Sequence, residues 1–421
     1  MGKKRVLTLI LILMIVVCCV TEAVIIGQLK TENTAIKADI QALVEANEVQ
    51  STSIDEINGQ LTATEQAKIP QIYLPEDIYV CAGLTMELYN DCVAVGINHE
   101  DYEFYWECEI GDCMEDKWRI HPSESEVGNY ILSLHVYDLK LQELTSASTT
   151  VHVVPHVFAQ EPTGNLQVLT IGDSLSAGTE WIAYTRYLSD CKISHVGTLG
   201  VEEGMMHEGR KGITAADYLN GTLFGTKIES PFINPATDEF DWAYYKESNG
   251  VDPNVVQIFL GTNGLAMDPV PNANDIFALI DKISEADPNV QIILIEPIYP
   301  ANQDGMARQQ NQLGYEALHG MWAMSREHMV YNLIRELDVR ADDYANVTVV
   351  PAAVMFDRAY GFAQENIRVN PQSDLLESVP VEGIHPSDQG YLQIGDAIYS
   401  TLCYMVYEQK IETTHEEETG E

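Results

Sequence analysis

Three short stretches of this chain end apolar runs with side chains that can do chemistry: Gly172-Asp173-Ser174-Leu175, Gly261-Thr262-Asn263-Gly264 and Glu382-Gly383-Ile384-His385-Pro386. Taken singly they are ordinary. A serine after Gly-Asp caps a helix, Asn-Gly makes a turn, and a histidine before proline sits in a loop. Taken together they supply what acyl transfer needs. A serine hydroxyl is a weak nucleophile until a base removes its proton, and His385 can do this for Ser174. The imidazole needs a partner to fix its tautomer, and Glu382 lies three residues away. The charge on a tetrahedral intermediate needs donors set in place beforehand. The Ser174 N–H, a neighbouring glycine N–H and the Asn263 amide are the candidates.

These residues require a scaffold that brings distant strand ends to one edge. Apolar runs at Leu166–Ile171, Ile193–Val196, Val255–Leu260, Val290–Ile295 and Val347–Val350 read as buried parallel strands. They alternate with helical stretches near Trp181–Leu188, Asn274–Ala286, Ala307–Leu337 and Asp388–Tyr407. Such alternation predicts an α/β fold, a doubly wound parallel sheet with ligands beyond the carboxyl ends of its strands. The long irregular segment Leu199–Val251 is expected to border the site.

At this point the residues resemble the SGNH (GDSL) hydrolases. Gly172-Asp173-Ser174-Leu175 is similar to the family's first block, and Gly261-Thr262-Asn263 to its third. Glu382-Gly383-Ile384-His385-Pro386 is similar to its fifth, and His207-Glu208-Gly209-Arg210-Lys211-Gly212-Ile213-Thr214 to its second. The resemblance spans about Leu166 to Tyr407. It extends to Gly197-Thr198 and Asn234-Pro235-Ala236, as in exported bacterial members related to carbohydrate esterases. It implies a flavodoxin-like sheet, Ser174 as nucleophile, His385 as base, and Ser174, Gly212 and Asn263 as oxyanion donors. It also implies ester hydrolysis with no metal and no cofactor. Two positions depart from the family: Glu382 stands where Asp is usual, and Gly264 where Asp follows the asparagine. If Glu382 failed to reach, Asp374, Glu377 or a carbonyl would have to orient His385.

Other residues are weaker candidates. Asp173, Arg210, Trp181 and Trp242 are expected as substrate contacts, although core packing is the better expectation for Trp181, Tyr184, Trp242 and Trp322.

The remaining chain bounds the setting. Its 421 residues exceed one ordinary domain, and 64 acidic against 23 basic side chains give a formal charge of −41. Such a surface repels phosphate backbones, so no nucleic-acid partner is expected. Lys3, Lys4 and Arg5 precede an apolar run extending to Gly27. Residues 1–27 therefore read as a signal anchor, a transmembrane helix holding the rest outside the cytoplasm, or as a cleaved signal leaving a secreted protein. Residues 28–68 carry a heptad, with Leu29, Ile36, Leu43 and Ile57 at d and Ile40, Ile54 and Leu61 at a. This predicts a coiled-coil stalk and a homodimer or homotrimer.

Residues 69–157 are β-textured and are expected to form an antiparallel, immunoglobulin-like sandwich. Cys81, Cys92, Cys108 and Cys113 in it are expected as two disulfides of open pairing rather than a zinc site, since no C-x-x-C occurs. Cys191 and Cys403 read as a third bridge or as buried thiols. His152 and His156 read as linker residues. The hydrolase domain is expected over 158–410, with an acidic tail over 411–421. The reading is an ester hydrolase that removes O-acetyl groups from a polysaccharide or acts on another small ester. A degenerate glycan- or partner-binding domain, and a lipid esterase or thioesterase, are the alternatives.

Overall fold

The structure is a computed structural model and describes residues 69–411 and 413, apart from 161–162, 224–225, 228–229 and 314–321. The chain divides into two compact units, Met1–Ile69 and Pro70–Glu421. The expected membrane helix (1–27), the coiled coil (28–68) and almost all of the acidic tail lie outside the described residues. Among the described residues, no helix is long and apolar enough to cross a membrane.

Pro70–Glu421 begins with β-rich structure. Its strands are β1 (Asp77–Cys81), β2 (Met86–Tyr89), β3 (Tyr102–Glu107), β4 (Asp112–Cys113), β5 (Lys117–Ile120), β6 (Gly128–Asp138) and β7 (Glu143–Val154), with a helical turn α1 (Asn90–Val93) after β2. Four strands pair in the order β1-β7-β6-β3, and three in the order β2-β5-β4. One feature departs from the antiparallel expectation: β1 runs parallel to β7, from Asp77 opposite Thr150 to Cys81 opposite Val154. A parallel neighbour needs a long crossover, and everything between β1 and β7 supplies it.

The cysteine expectation also fails. Cys81, Cys92, Cys108, Cys113, Cys191 and Cys403 are all free thiols. Cys81 is buried against the last helix, its N–H donating to Ser400 Oγ at 3.1 Å and its thiol beside that of Cys403. Cys92 is buried instead with its Sγ 3.4 Å from the Phe356 carbonyl oxygen. The two point into different contacts and are not partners. Cys113 Sγ accepts from the Trp106 N–H at 3.4 Å. Cys191 is exposed while Cys403 is fully buried, so they do not pair either.

The α/β layer follows, built on β8 (Leu166–Gly172), β9 (Ile193–Val196), β10 (Leu199–Gly200) and β11 (Met206–Gly209). Two small hairpins, β12 (Thr222–Leu223) with β13 (Thr226–Lys227) and β14 (Ile233–Asn234) with β15 (Glu239–Phe240), interrupt it. The strands β16 (Val255–Phe259), β17 (Gln291–Ile295) and β18 (Val347–Val350) complete it. Its parallel order is β11-β8-β16-β17-β18; β9 pairs with the first half of β8 and β11 with the last two residues, on the same edge. This is the doubly wound order expected, with β10 added antiparallel to β11. The central strands are apolar on both faces because helices cover both, and every residue of β16 is buried.

The helices are α2 (Glu180–Leu188), α3 (Ala215–Asn220), α4 (Trp242–Asn249), α5 (Val270–Ala286), α6 (Gln303–Leu313), α7 (Ala323–Ala341), α8 (Ala352–Met355) and α9 (Asp388–Tyr407). The helix expected over Ala307–Leu337 is two, α6 and α7. Between β18 and α9, a hairpin of β19 (Gln364–Arg368) and β20 (Leu376–Pro380) leads directly into Glu382.

The β-rich segment and the α/β layer share one core. Ile78, Val80, Leu88 and Val151 belong to the same buried cluster as Val168, Ile295, Ile398 and Leu402. His152 and His156, expected as linker residues, take part in this junction. The His152 ring packs on Tyr404 of the last helix with centroids 5.1 Å apart, and His156 meets the Tyr399 hydroxyl at 2.5 Å.

Candidate active site

Ser174 stands two residues past the end of β8, where Gly172 and Asp173 turn the chain. The turn is tight: Leu175 N donates to Asp173 Oδ1 at 2.9 Å, and Ser176 N to the Asp173 carbonyl at 3.2 Å. Below it, the Trp181 Nε1–H donates to the Leu175 carbonyl at 3.2 Å. Trp181 is fully buried. It supports the serine turn from beneath and offers no surface to a substrate, which corrects the expectation for it. Trp242 is likewise buried, stacked among Phe232 and Tyr245. Of the four aromatics considered, Trp322 is exposed, and Tyr184 donates its hydroxyl to Asp396 at 2.9 Å.

His385 reaches Ser174 from the far end of the domain. Its Nε2 lies 3.0 Å from Ser174 Oγ. Its Nδ1 faces both carboxylate oxygens of Glu382, at 3.1 Å to Oε1 and 3.3 Å to Oε2. The loop bearing this pair is fixed at both ends. Ser387 caps α9, accepting from Gly390 N at 3.2 Å, while its own N–H donates to the Gly361 carbonyl at 2.8 Å. On the other side Gly383 lies against Met306 of α6, where a Cβ would come within 2.5 Å of the sulfur. The extra methylene of glutamate is therefore accommodated, and the reserve partners are elsewhere. Asp374 is exposed beside Arg368 at 3.4 Å, and Glu377 is exposed on β20.

The third element comes from the end of β16. Asn263 Nδ2 lies 3.2 Å from Asp173 Oδ2 and 3.1 Å from the Ile213 carbonyl. It thus ties the β16 loop to the serine turn and to the second block together. Asn272 holds the loop from the other side, its Nδ2 donating to the carbonyls of Gly261 and Asn263 at 3.2 and 3.3 Å. Asp173 is fully buried, and burial pushes its carboxyl up to about 7 against the opposing effects of the Leu175 N–H, His385 and Arg326. A carboxylate so enclosed positions its neighbours and touches no substrate, contrary to expectation.

Gly212 lies one residue before Ile213 with φ +77°, a conformation that favours glycine. Gly209 must also be glycine, since a Cβ there would sit 2.5 Å from the Ser176 carbonyl carbon. Arg210, expected to contact substrate, is committed within the protein. Its Nη1 lies 2.7 Å from Glu208 Oε2 and 3.0 Å from the Glu208 carbonyl, and its guanidinium covers the Tyr218 ring.

Glu208 is the residue that sequence reasoning missed. It is fully buried yet satisfied by Thr198 N at 2.7 Å, Thr198 Oγ1 at 2.9 Å, the Tyr245 hydroxyl at 2.9 Å and Arg210. The available signal was an acidic residue inside the second block with a basic residue two positions on.

A hydroxyl bonded to an imidazole whose other nitrogen faces a carboxylate is the arrangement from which serine can be deprotonated. Three loops at the carboxyl edge of one parallel sheet bring these groups together, which defines an α/β ester hydrolase of the serine type. The sequence model of the GDSL-like lipase/acylhydrolase family matches residues 168–398, and the chain belongs to that family. Among solved structures it is similar to a family 3 carbohydrate esterase of Clostridium thermocellum, with 16% identity, 58% of this chain and 99% of that one covered, and a TM-score of 0.36. It is similar to a family 3 carbohydrate esterase of Talaromyces cellulolyticus, with 16% identity, 58% and 99% covered, and a TM-score of 0.35. A family two carbohydrate esterase from Clostridium thermocellum in complex with cellohexaose matches 78% of this chain and 94% of its own, at 13% identity and a TM-score of 0.35. No curated protein matches the chain by sequence.

Proposed function

We propose that the protein removes O-acetyl groups from a polysaccharide outside the cytoplasm, tethered through residues 1–27. The observation that carries the chemistry is the 3.0 Å contact of His385 Nε2 with Ser174 Oγ, backed by Glu382 on Nδ1. In this reading His385 takes the hydroxyl proton as Ser174 attacks the acetyl carbonyl, and returns it to the departing sugar oxygen. The acetyl-enzyme is then hydrolysed by water, with the same base. The N–H groups of Ser174 and Gly212 and the Asn263 amide receive the oxyanion. Asn263 Nδ2 already donates to the Ile213 carbonyl at 3.1 Å and to Asp173 Oδ2 at 3.2 Å, so a forming oxyanion must compete with one of these two acceptors for the amide.

The glycan part of the proposal draws on the carbohydrate esterases among the similar structures and on the basic, apolar start of the chain, which reads as an export signal. The test is acetate release from acetylated xylan, acetylated mannan and O-acetylated peptidoglycan, with the Ser174→Ala protein as control. Turnover of acetylated polysaccharide by wild type alone supports it. Turnover confined to long-chain acyl esters would replace the glycan by a lipid.

A further inference from the structure

A cavity of about 700 Å³ lies between the β-rich segment and the loop that follows α8, within the range of small-molecule sites. Aromatic rings line both sides: Tyr89, Tyr102 and Phe104 from the β-rich segment, and Tyr360 from the loop. His99 stacks on Phe104, with centroids 5.1 Å apart. The lining also carries carboxylates, Asp91 and Glu103 among them. The one lysine of the lining, Lys117, is already held by Glu87 at 3.3 Å.

Tyr360 is the telling residue. Its backbone is pinned, because Asp357 Oδ1 accepts from both Ala359 N and Tyr360 N at 2.9 Å. Its side chain nevertheless stays 72% exposed. A fixed loop that leaves a large aromatic face in water gains nothing for folding from that ring. The same loop is joined to the catalytic one. Gly361 accepts from Ser387 N, and Phe362 bridges to Pro386, next to His385. Chain geometry therefore keeps the Cα of Tyr360 within about 17 Å of that of His385. The opposite wall is anchored too. Arg358 Nη1 donates to the Asp91 carbonyl at 3.2 Å, and Arg358 Nη2 lies 2.6 Å from Glu327.

We infer that this cavity is a saccharide subsite that holds an unreacting part of the glycan while another part lies at Ser174. Sugar rings present C–H faces to aromatic rings and hydroxyl donors to carboxylates, and this lining offers both. Its charge repels anionic ligands. A metal ion fits less well, since no three carboxylate, imidazole or thiol groups converge to hold one among the described residues. The inference rests on the glycan reading above and assigns to it a second contact supplied by the β-rich segment.

The experiment uses the full chain carrying Ser174→Ala, titrated calorimetrically with cello-, xylo- and mannohexaose and, separately, with spermine. Adding Tyr360→Ala should weaken hexasaccharide binding at least tenfold without changing the melting temperature. Phe104→Leu, which keeps bulk but loses the flat face, should act in the same direction. In the active enzyme, Tyr360→Ala should leave kcat/KM for p-nitrophenyl acetate within twofold and raise KM for acetylated polysaccharide about tenfold. Binding of a hexasaccharide that depends on Tyr360, in an enzyme that does not cleave acetylated glycans, would keep the subsite and remove the deacetylase reading. The inference is overturned if no hexasaccharide binds, if binding is indifferent to Tyr360→Ala, or if spermine alone occupies the cavity.

Discussion

Asn263 and Asp173 are joined, Nδ2 to Oδ2 at 3.2 Å, across the tips of the neighbouring strands β8 and β16. The bond couples the residue beside the nucleophile to the amide read as an oxyanion donor, so each loop end fixes the other. Both strands are fully hydrogen-bonded in the sheet up to this point, with Phe259 opposite Gly172. A side chain placed by two rigid strands costs little reorganisation when charge develops in front of it.

Asn263→Ala should therefore lower kcat by about 10²-fold or more while changing KM little, as expected of a donor that acts in the transition state. Steady-state kinetics on p-nitrophenyl acetate check it. An effect on KM alone would make Asn263 a substrate-binding residue.

Glu382→Gln should damage turnover more than Glu382→Asp. Both carboxylate oxygens face His385 Nδ1, so either can accept its proton. A glutamine keeps the reach but loses the charge that stabilises the imidazolium, and it can present an N–H to the ring and select the wrong tautomer. A loss of about 10²-fold or more in kcat is expected for Gln. Aspartate keeps the charge and shortens the reach by one methylene. Equal kcat for wild type and Glu382→Gln would show that another group orients His385.

The parallel sheet was legible because its strands are buried on both faces and read as continuous apolar runs; Ile193–Val196 and Val347–Val350 match the observed bounds. Two blocks of the site were legible because they end such runs, at Gly172 and after Phe259. The third, over 382–386, follows the separate β19–β20 hairpin and was legible from its place before the last helix. What escaped was set by tertiary contact. Trp181 and Trp242 are aromatic near the motifs, and nothing local tells a buried prop from a sugar platform. Arg210 looked available until the buried Glu208 was seen beside it. The thiols of Cys81 and Cys92 each meet a residue more than 250 positions away, Cys403 and Phe356, and loop length between cysteines carries no trace of that.

Glu208→Ala should destabilise the fold by about 3 kcal/mol, because it leaves Arg210 with its carboxylate partner removed and the Tyr245 hydroxyl and Thr198 without an acceptor. Urea unfolding monitored by tryptophan fluorescence reads this directly. Arg210→Met added to Glu208→Ala should recover part of the loss, and additivity of the two changes would refute the coupling.

Glu296 follows β17 in full burial, its Oε1 accepting the Tyr73 hydroxyl at 2.7 Å and its Oε2 facing Ala353 N at 3.3 Å. Burial is the main cause that pushes its carboxyl up to about 8, with Asp338 adding to the rise. In the unfolded chain it titrates near 4.5. Between these values the folded state holds a proton that the unfolded state has released. Stability must then fall as pH rises. The contribution of Glu296 is complete below about pH 4.5 and is lost as pH climbs through about 8, with a limiting slope of roughly 1.4 kcal/mol per pH unit. Asp173, pushed up to about 7, acts with the same sign. Asp338 and Asp396, each pushed up to about 6 chiefly by burial, add to it, so Glu296→Gln removes one titrating group of several and its stability curve should be flatter, not flat. Glutamine can still accept from Tyr73, but it offers only one acceptor oxygen where Ala353 N also needs one. An unsatisfied Ala353 N–H costs about 1–3 kcal/mol, which the wild-type slope removes within about two pH units above 4.5, so the variant should be the less stable protein at pH 5 and should overtake wild type by about pH 7. Urea unfolding at pH 5, 6, 7, 8 and 9 checks the crossing. A difference between the two proteins that stays constant across this range would mean that Glu296 is charged in the folded state.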